Sequence, residues 1–323
     1  MSKIIDEINR STNIAIFSHI KTDCDAVCSS LSFKLAVEQL GKKADVFIDS
    51  NFSHQIQGLP HFECINKKTQ DKYDLYVCLD NAALDRLGKN KYKIMKNRSK
   101  SVQLDHHETN EKYCKINYIN HQASSTCEVL YNFYRMLGVN ITPTMARLLL
   151  TGILTDTSNL MYSNTTKETL FVASKLLELS QTTMDQVCDP IFRNKSLSEF
   201  NLNKFVYENL HLINDNQIAY ITIDTKDFNR LGASFDDAHG LCDIGMAINT
   251  VKIMLLASQD PTQENCYYIS VRSKGNISAR AICEAFGGGG HFNAAGCKIF
   301  DTKQNIIDGL IKEAQRVLND GVL

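Results

Sequence analysis

Short apolar runs alternate with stretches of helical periodicity through the first half of the chain. Four short runs rich in apolar residues predict strands, because each ends at polar residues. These runs are 13–17, 44–48, 74–79 and 101–104. The helical patterns are 26–40, 124–137 and 144–154. Continuous apolar strands separated by helices are typical of a parallel sheet that is covered by helices on both faces.

The pattern changes after a helical stretch, rich in charge and amide, at 167–211. The sequence "HLINDNQIAYITI" carries two apolar runs around Asn214-Asp215-Asn216, which predicts a hairpin. Further strands are expected at 251–257 and 266–271, and an amphipathic helix at 305–318. We therefore expect an α/β fold with a second, smaller mixed α/β domain. The predicted divisions are 1–185 for the first domain, 186–209 for a connecting helix and 210–323 for the second domain.

Composition and charge narrow the range of functions and partners that we expect for this protein. The 323 residues include 35 basic and 36 acidic side chains, for a net charge of −1. This balance argues against a broad basic surface for long nucleic acid, but it suits a small basic pocket for a short phosphate ligand. The 11 cysteines form no CxxC pair, which is typical of reduced thiols. We expect a cytoplasmic protein without a membrane partner, because no signal peptide pattern or long apolar span is present.

Acidic and imidazole side chains follow three of the predicted strands, at the point where each strand ends. They are His19, Asp23, Asp25, Asp80, Asp105, His106 and His107, and Asp156 ends a later helical run. Because ligand sites form outside the carboxyl ends of strands in an open parallel sheet, we expect these side chains to converge. Taken singly, each aspartate is more often a cap or turn residue, as Asp25 would be for a helix from Ala26. Their repetition at strand ends favours a metal site.

The residue types in this set indicate which metals would bind. Carboxylate and imidazole groups without a thiolate suit Mn²⁺, Mg²⁺ or Zn²⁺. So many carboxylates would repel one another unless metal charge neutralised them, and they exceed what one ion requires. Two ions that share a bridging carboxylate fit better, and such pairs perform in-line phosphoryl displacement.

A glycine run in "FGGGGHFNAAGC" is the second candidate for chemistry. Four successive glycines let the backbone approach a ligand and present N–H groups to an anion. Basic and polar residues stand nearby, and a guanidinium suits a phosphate. They are Arg272, Ser273, Lys274, Arg280 and His291. The alternative is a flexible surface loop, but the small residues that follow are less typical of a linker. We therefore expect a phosphate-binding segment in the second domain.

These segments resemble a known family. "HIKTDCD", "CLDNA", "LDHHE" and "TDTSN" resemble, in this order, the four motifs of the DHH phosphoesterase superfamily, and "GGGGHFNAAG" resembles its DHH-associated C-terminal domain. The resemblance covers essentially the whole chain and is strongest to the nanoRNase and pAp phosphatase group. It implies a homodimeric, metal-dependent enzyme that hydrolyses very short RNA to mononucleotides. It also implies hydrolysis of 3′-phosphoadenosine 5′-phosphate (pAp) to AMP and phosphate, with two Mn²⁺ ions, or Mg²⁺ or Co²⁺, as cofactors.

The resemblance also implies roles for the matching residues. One ion would be held by His19, Asp23 and Asp80, and the other by Asp25, Asp80, His106 and Asp156. His107 would contact the scissile phosphate, and Asp105 would orient the histidines. Substrate would be bound by Arg272, Ser273, Gly288, Gly289, Gly290 and His291. No role follows for Cys24.

Two other functions stay open. The same chemistry would allow hydrolysis of pApA or a cyclic dinucleotide. The alternative that is not an enzyme is a nucleotide sensor without catalysis. Such a protein would be expected to have lost metal ligands. Pyrophosphatases lack the GGGGH segment, and recombination exonucleases carry additional nucleic-acid-binding segments, so both are less favoured.

Overall fold

The computed structural model describes residues 1–238 and 240–320 of the chain. Its contacts divide the chain into two compact units, Met1–Asn194 and Lys195–Leu323. Each unit has its own sheet and its own hydrophobic core. The predicted end of the second domain at residue 323 lies outside the described residues, and the domain assignment stays a prediction.

The first unit combines five strands with eight helices. In chain order they are α1 (Ser2–Arg10), β1 (Asn13–Phe17), α2 (Cys24–Gln39), β2 (Lys43–Phe47), α3 (His54–Gln57), β3 (Leu75–Leu79), α4 (Lys91–Lys96), β4 (Ser101–Asp105), β5 (Ile116–Ile119), α5 (Thr126–Leu137), α6 (Pro143–Asp156), α7 (Lys167–Ser180) and α8 (Met184–Phe192). Short 3₁₀ segments occupy Phe62–Cys64, Leu84–Asn90 and Arg98–Lys100.

The sheet of the first unit is wholly parallel, in the order β2-β1-β3-β4-β5. Alternate residues of β1 face opposite sides because side chains alternate along a strand. Ile14 and Ile16 belong to the large core that includes residues of α2, α5 and α6. Ala15 and Phe17 pack in a smaller cluster with Ile94 of α4. Helices therefore cover both faces, and the predicted fold class is confirmed.

Strand β5 was not predicted. Its four residues are all half-buried, so they lack the continuous apolar run that marks the inner strands. It pairs in parallel with β4 across the loop 106–115, which contains no helix. This loop begins with the two histidines of the candidate site.

In its described residues, the second unit combines six strands with five helices. In chain order they are α9 (Leu197–Asn209), β6 (His211–Ile213), β7 (Ile218–Ile223), α10 (Thr225–Leu231), α11 (Cys242–Met246), β8 (Ile253–Gln259), β9 (Cys266–Ser273), α12 (Ala279–Glu284), β10 (Gly289–His291), β11 (Ala294–Phe300) and α13 (Lys303–Asp320). A 3₁₀ turn spans Phe235–Ala238.

The sheet of the second unit is mixed, in the order β10-β11-β9-β8-β7-β6. Within this sheet, the described strands pair in parallel only at β7 and β8. The predicted hairpin is confirmed, since β6 and β7 flank Asn214, Asp215 and Asn216, all with positive φ. One core cluster joins the sheet to α12 and α13, and another joins it to α9, α10 and α11.

The single connecting helix predicted over 186–209 is two helices. α8 ends at Phe192, and α9 begins at Leu197. The break is fixed by a capping box, in which Ser196 accepts the Glu199 N–H and Glu199 accepts the Ser196 N–H. The two compact units divide within this break, between Asn194 and Lys195.

Within the described ranges, none of the helices has the length and apolarity that crossing a membrane requires. The cysteines all lie in these ranges, and each is a free thiol.

Candidate metal centre

The carboxyl ends of three adjacent strands bring the candidate residues together. β1, β3 and β4 are neighbours in the sheet, and their following loops carry His19, Asp80 and His106. Two helices, α2 and α6, contribute the remaining residues that the sequence predicted for the cluster. Asp23 and Asp25 lie at the start of α2, and Asp156 is the last residue of α6.

The first group of ligand atoms consists of His19, Asp23 and Asp80. Nε2 of His19 is 3.7 Å from Oδ2 of Asp23 and 3.5 Å from Oδ2 of Asp80. Nδ1 of His19 lies 2.8 Å from the Ile20 carbonyl oxygen, which directs Nε2 at the carboxylates. Burial opposes protonation of His19, but hydrogen bonds to the two carboxylates raise its pKa to about 10. A proton on Nε2 would therefore lie where a cation would bind.

The second group consists of Asp25, His106 and Asp156. Nε2 of His106 is 3.6 Å from Oδ1 of Asp80 and 3.4 Å from Oδ2 of Asp156. Its Nδ1 lies 3.3 Å from the Ala123 carbonyl oxygen. Burial and the neighbouring His107 lower the pKa of His106. The ring is therefore neutral near pH 7 and presents a lone pair at Nε2.

Asp80 stands between the two groups, because each of its carboxylate oxygens faces a different histidine. Its φ of 50° is in the left-handed region, which costs free energy for a residue with a side chain. Gln103 stabilises the turn by donating a hydrogen bond of 2.6 Å to the Asn81 carbonyl oxygen. Burial opposes ionisation of Asp80, but the hydrogen bond to His19 and nearby histidine charges hold its pKa well below the usual range. Asp80 has the geometry of a bridging ligand.

Asp25 does not cap α2, contrary to one of its predicted roles. The helix begins at Cys24, and Asp23 accepts the capping hydrogen bond from the Ala26 N–H at 3.0 Å. The buried Asp25 carboxylate instead accepts the backbone N–H groups of Thr126 and Cys127 at 2.7 and 3.0 Å. These groups begin α5, and a helix N-terminus favours negative charge. Asp25 is thus held rigidly beside His106.

Gly152 in α6 leaves room for this arrangement. A Cβ at this position would lie 2.3 Å from the Cys127 sulfur and 2.8 Å from Oδ1 of Asp25. Both atoms belong to buried side chains, so the neighbouring helices could not yield without moving Asp25. The absence of a side chain at Gly152 therefore supports the second group.

The residues of the cluster fit divalent cations. Burial and the charges of Asp80 and of neighbouring aspartates raise the pKa of both Asp25 and Asp156, which indicates uncompensated negative charge. Oδ2 of Asp156 is buried and has no hydrogen-bond partner among the described residues. The donor atoms are oxygen and imidazole nitrogen, which suit Mn²⁺ or Mg²⁺. Burial and the adjacent carboxylates raise the pKa of the Cys24 thiol to about 12.

Asp105 organises the histidine pair. Its Oδ1 accepts the His106 backbone N–H at 2.8 Å and lies 2.7 Å from Nδ1 of His107. Its Oδ2 accepts a hydrogen bond from the Asn110 side-chain amide. Burial opposes protonation of His107, but Asp105 outweighs it and raises the pKa of that ring. His107 is therefore oriented through Nδ1, with Nε2 at the opposite edge of the ring.

Comparisons with known proteins agree with this architecture. The family profile for the DHH family, N-terminal domain, matches residues 13–153, and the profile for the DHHA1 domain matches residues 215–320. The chain belongs to the DHH superfamily. The DHH match covers His19, Asp23, Asp25, Asp80, Asp105, His106 and His107. Asp156 lies just beyond it, at the end of the helix in which the match ends.

Relatives of the DHH chain match it over nearly their whole length. A Bacillus subtilis (strain 168) protein named "Bifunctional oligoribonuclease and PAP phosphatase NrnA" is 23% identical over 322 residues, which cover 99% of this chain and 96% of the relative. A Thermus thermophilus protein of the same name is 27% identical over 290 residues, which cover 88% of this chain and 84% of the relative.

Solved structures share the DHH fold. An exopolyphosphatase-related protein from Bacteroides fragilis aligns with a TM-score of 0.90 and 23% identity, over 100% of this chain and 97% of that one. RecJ from Thermus thermophilus, in complex with Mn²⁺, aligns with a TM-score of 0.56 and 13% identity. That alignment covers 98% of this chain and 53% of RecJ.

Two of the predicted substrate-binding residues of the DHHA1 domain, Arg272 and His291, lie on the two strands that flank β11 near one edge of its sheet. His291 pairs with Ala294, and Ala294 pairs with Arg272 on the other side. Directly paired residues lie on one face of a sheet, so His291 and Arg272 flank a small side chain. Ser273 is buried, and its Oγ donates 2.5 Å to the Ile277 carbonyl oxygen while accepting 3.0 Å from the Asn293 amide. Its hydroxyl hydrogen is therefore used within the domain.

The glycine run forms an edge strand, which the sequence did not predict. Gly289 and Gly290 lie in β10 and pair with β11. A Cβ at Gly288 would lie 2.3 Å from the Gly296 carbonyl oxygen. A Cβ at Gly290, where φ is 143°, would lie 2.6 Å from the Ala294 carbonyl oxygen. Two of the glycines are therefore required by close strand packing.

Other residues of the DHH centre carried no signal in the sequence. Thr126 donates its hydroxyl to Oδ1 of Asp80 at 3.0 Å. Asn164 donates to the carbonyl oxygens of Ser124 and Asp156, at 3.0 and 3.1 Å. Arg86 lies with Nη2 3.3 Å from Nδ1 of His19. These contacts join distant parts of the chain, so spacing along the sequence could not reveal them.

Proposed function

We propose that the protein is a metal-dependent phosphoesterase that hydrolyses very short RNA to mononucleotides and pAp to AMP and phosphate. The observation that carries the proposal is the cluster in which Asp80 lies between two carboxylate–histidine groups. Further support comes from relatives named for oligoribonuclease and PAP phosphatase activity, which match the chain nearly from end to end.

Two divalent ions, with Mn²⁺ as the proposed physiological ion, are the cofactors of this function. One would be held by His19, Asp23 and Asp80, and the other by Asp25, Asp80, His106 and Asp156. When bound, such ions polarise a phosphoryl group and lower the pKa of water, which supplies a nucleophile at neutral pH.

The protein's own groups orient the substrate and handle protons. His107 is held by Asp105 through Nδ1 and presents Nε2 to the scissile phosphate or its leaving group. Its raised pKa favours the protonated ring, which can donate a hydrogen bond there. Asp105 acts through the two histidines and does not touch the substrate.

The DHHA1 domain is proposed to bind the other end of the substrate. Arg272, His291 and the backbone N–H groups of Gly288, Gly289 and Gly290 are suited to a phosphate and its nucleotide. Because the Ser273 hydroxyl donates to Ile277, we propose that Ser273 shapes the strand end beside Arg272. We also propose that the protein is a cytoplasmic homodimer. In each chain, residues 1–185 would form the catalytic domain, residues 186–209 the connection and residues 210–323 the substrate-binding domain.

Two alternatives have distinct supporting features. Hydrolysis of pApA or a cyclic dinucleotide uses the same centre and differs only in substrate. A nucleotide sensor would not need a complete ligand set, and the cluster here retains every predicted ligand. The complete set favours the enzyme.

A substrate panel with a ligand variant tests the proposal. Purified protein with Mn²⁺ is given 5′-phosphorylated RNA of increasing length, pAp, pApA and a cyclic dinucleotide, with a chelator control and product chromatography. We expect turnover of the shortest RNA and of pAp, abolished by chelator and by Asp80→Ala. Asp71→Ala removes an exposed carboxylate and should change nothing. Turnover that survives in Asp80→Ala would contradict the assigned centre.

A further inference from the structure

Arg86 lies beside the metal centre, in the 3₁₀ segment that follows β3. Its Nη2 is 3.3 Å from Nδ1 of His19, and the residue is exposed. The guanidinium therefore lies near a proposed metal ligand.

The main chain at Arg86 is anchored independently of its side chain. The Arg86 carbonyl oxygen accepts the Ile20 N–H at 2.7 Å. Gly88 packs so closely that a Cβ there would lie 2.6 Å from both Ile20 Cγ2 and Asp49 Oδ2. A side-chain substitution at Arg86 leaves these contacts in place. Its effects would therefore report on the guanidinium.

His19 is a poor acceptor for this guanidinium. Nδ1 of His19 is closer to the Ile20 carbonyl oxygen, at 2.8 Å, than to Arg86. A carbonyl oxygen only accepts, so Nδ1 carries the hydrogen, and a guanidinium has only donors. In the part of the chain that the structure describes, no carboxylate forms an ion pair with Arg86. Its donors are thus available to an anionic ligand.

We infer that Arg86 binds the phosphoryl group that is cleaved, an inference that rests on the proposed phosphoesterase function. A guanidinium matches phosphate oxygens with two parallel, charge-assisted hydrogen bonds. The position beside His19 puts it next to the centre of reaction, so it would contact the scissile group directly.

The two proposed substrates differ in the charge of that group. The 3′-phosphate of pAp is a monoester with a charge of about −1.5 to −2 at neutral pH. The scissile group of RNA is a diester and carries a single negative charge. Because Coulomb attraction scales with charge, Arg86 contributes more to the cleavage of pAp. It therefore sets the balance between phosphatase and ribonuclease activity.

Three variants test the inference: Arg86→Gln, Arg86→Lys and, as a control from the same segment, Lys89→Gln. Steady-state kcat/KM is measured for pAp and for a 5′-phosphorylated RNA dinucleotide. Calorimetry measures the affinity for Mn²⁺, and that of the Mn²⁺-loaded protein for inorganic phosphate, which is not turned over. Arg86→Gln should lower kcat/KM about 100-fold for pAp and about tenfold for the dinucleotide, as loss of charged hydrogen bonds implies.

Phosphate affinity should fall about tenfold in Arg86→Gln and less in Arg86→Lys. The Mn²⁺ affinity of both Arg86 variants should stay at the wild-type value. All the measured quantities of Lys89→Gln should also stay at their wild-type values. Unchanged kinetics and phosphate affinity in Arg86→Gln would overturn the inference. Weaker Mn²⁺ binding would also overturn it, because Arg86 would then act through His19. Equal losses on both substrates would overturn the role in selectivity. An inactive wild-type protein would refute the proposed function, and phosphate calorimetry would still test the contact.

Discussion

At the scale of single residues, we expect the candidate metal centre to depend on Asp105 as much as on the candidate ligands. This wholly buried carboxylate contacts the His106 main chain, the His107 ring and the Asn110 amide. Loss of a hydrogen-bond partner that orients the residues around a metal commonly costs 10–100-fold in metal affinity or activity. Asp105 serves one ligand and one proposed phosphate contact at once.

Replacing Asp105 with asparagine should therefore impair the centre without removing a ligand. We expect turnover to fall at least about 100-fold and Mn²⁺ affinity to fall about tenfold, because an amide NH₂ would face the Asn110 donor. Kinetics and Mn²⁺ calorimetry measure the two effects. Asn110→Ala removes only one of the three contacts and should give an intermediate loss. Equal activity in Asp105→Asn and wild type would contradict this role.

At the scale of elements, the β10–β11 hairpin depends on glycine at some positions and not at others. Gly290 combines a φ of 143° with close approach to the backbone of β11, whereas a Cβ at Gly289 would meet no atom within 4 Å. The two positions are adjacent in one strand. They form a matched pair in which only one requires glycine.

Gly290→Ala should destabilise the protein by about 2 kcal/mol or more, from backbone strain and steric overlap. Gly289→Ala should stay within about 0.5 kcal/mol of wild type, as exposed substitutions usually do. Denaturant unfolding of the full chain measures both. Equal stability of the two variants would show that the hairpin tolerates a side chain at Gly290.

The sequence predicted elements with strong local signals and missed those defined by packing. β1 and β4 were predicted almost residue for residue, because continuous apolar runs mark inner strands. β10 was missed because glycines carry no strand signal, and its pairing follows from contact with β11. The break before α9 had a usable signal, Ser196 followed by Glu199, which predicts a helix start.

The convergence of the candidate metal ligands was predictable for a similar reason. In a parallel sheet, the carboxyl ends of adjacent strands meet at one edge, so residues after β1, β3 and β4 had to lie close together. Thr126, Gly152 and Arg86 were not predictable, since their roles arise from distances between segments remote in sequence.

At the scale of the whole molecule, we expect the proposed metal binding to be linked to the folding of the first unit. All the candidate ligands lie within Met1–Asn194, and the unit from Lys195 has its own core. A ligand that binds only the folded state stabilises it by RT ln(1 + [L]/Kd). Mn²⁺ should therefore act on the first unit.

Calorimetric unfolding should show two transitions, of which Mn²⁺ shifts one. At about 100 times Kd, the stabilisation of the first unit should be about 2.7 kcal/mol. Asp80→Ala should abolish that shift, and Gly290→Ala should move only the other transition, which identifies each unit. A shift of both transitions by Mn²⁺ would contradict separate stabilities.

The spread of the ligands from His19 to Asp156 has a consequence for biosynthesis. The ribosome releases the chain from its N-terminus, so Asp25 and Asp80 emerge well before Asp156 closes the second group. Nascent chains that end before α6 could gather only part of the set and would hold an ion weakly. Binding of the full complement of proposed ions would therefore require synthesis to pass the end of α6, and it can precede synthesis of the glycine-rich strand.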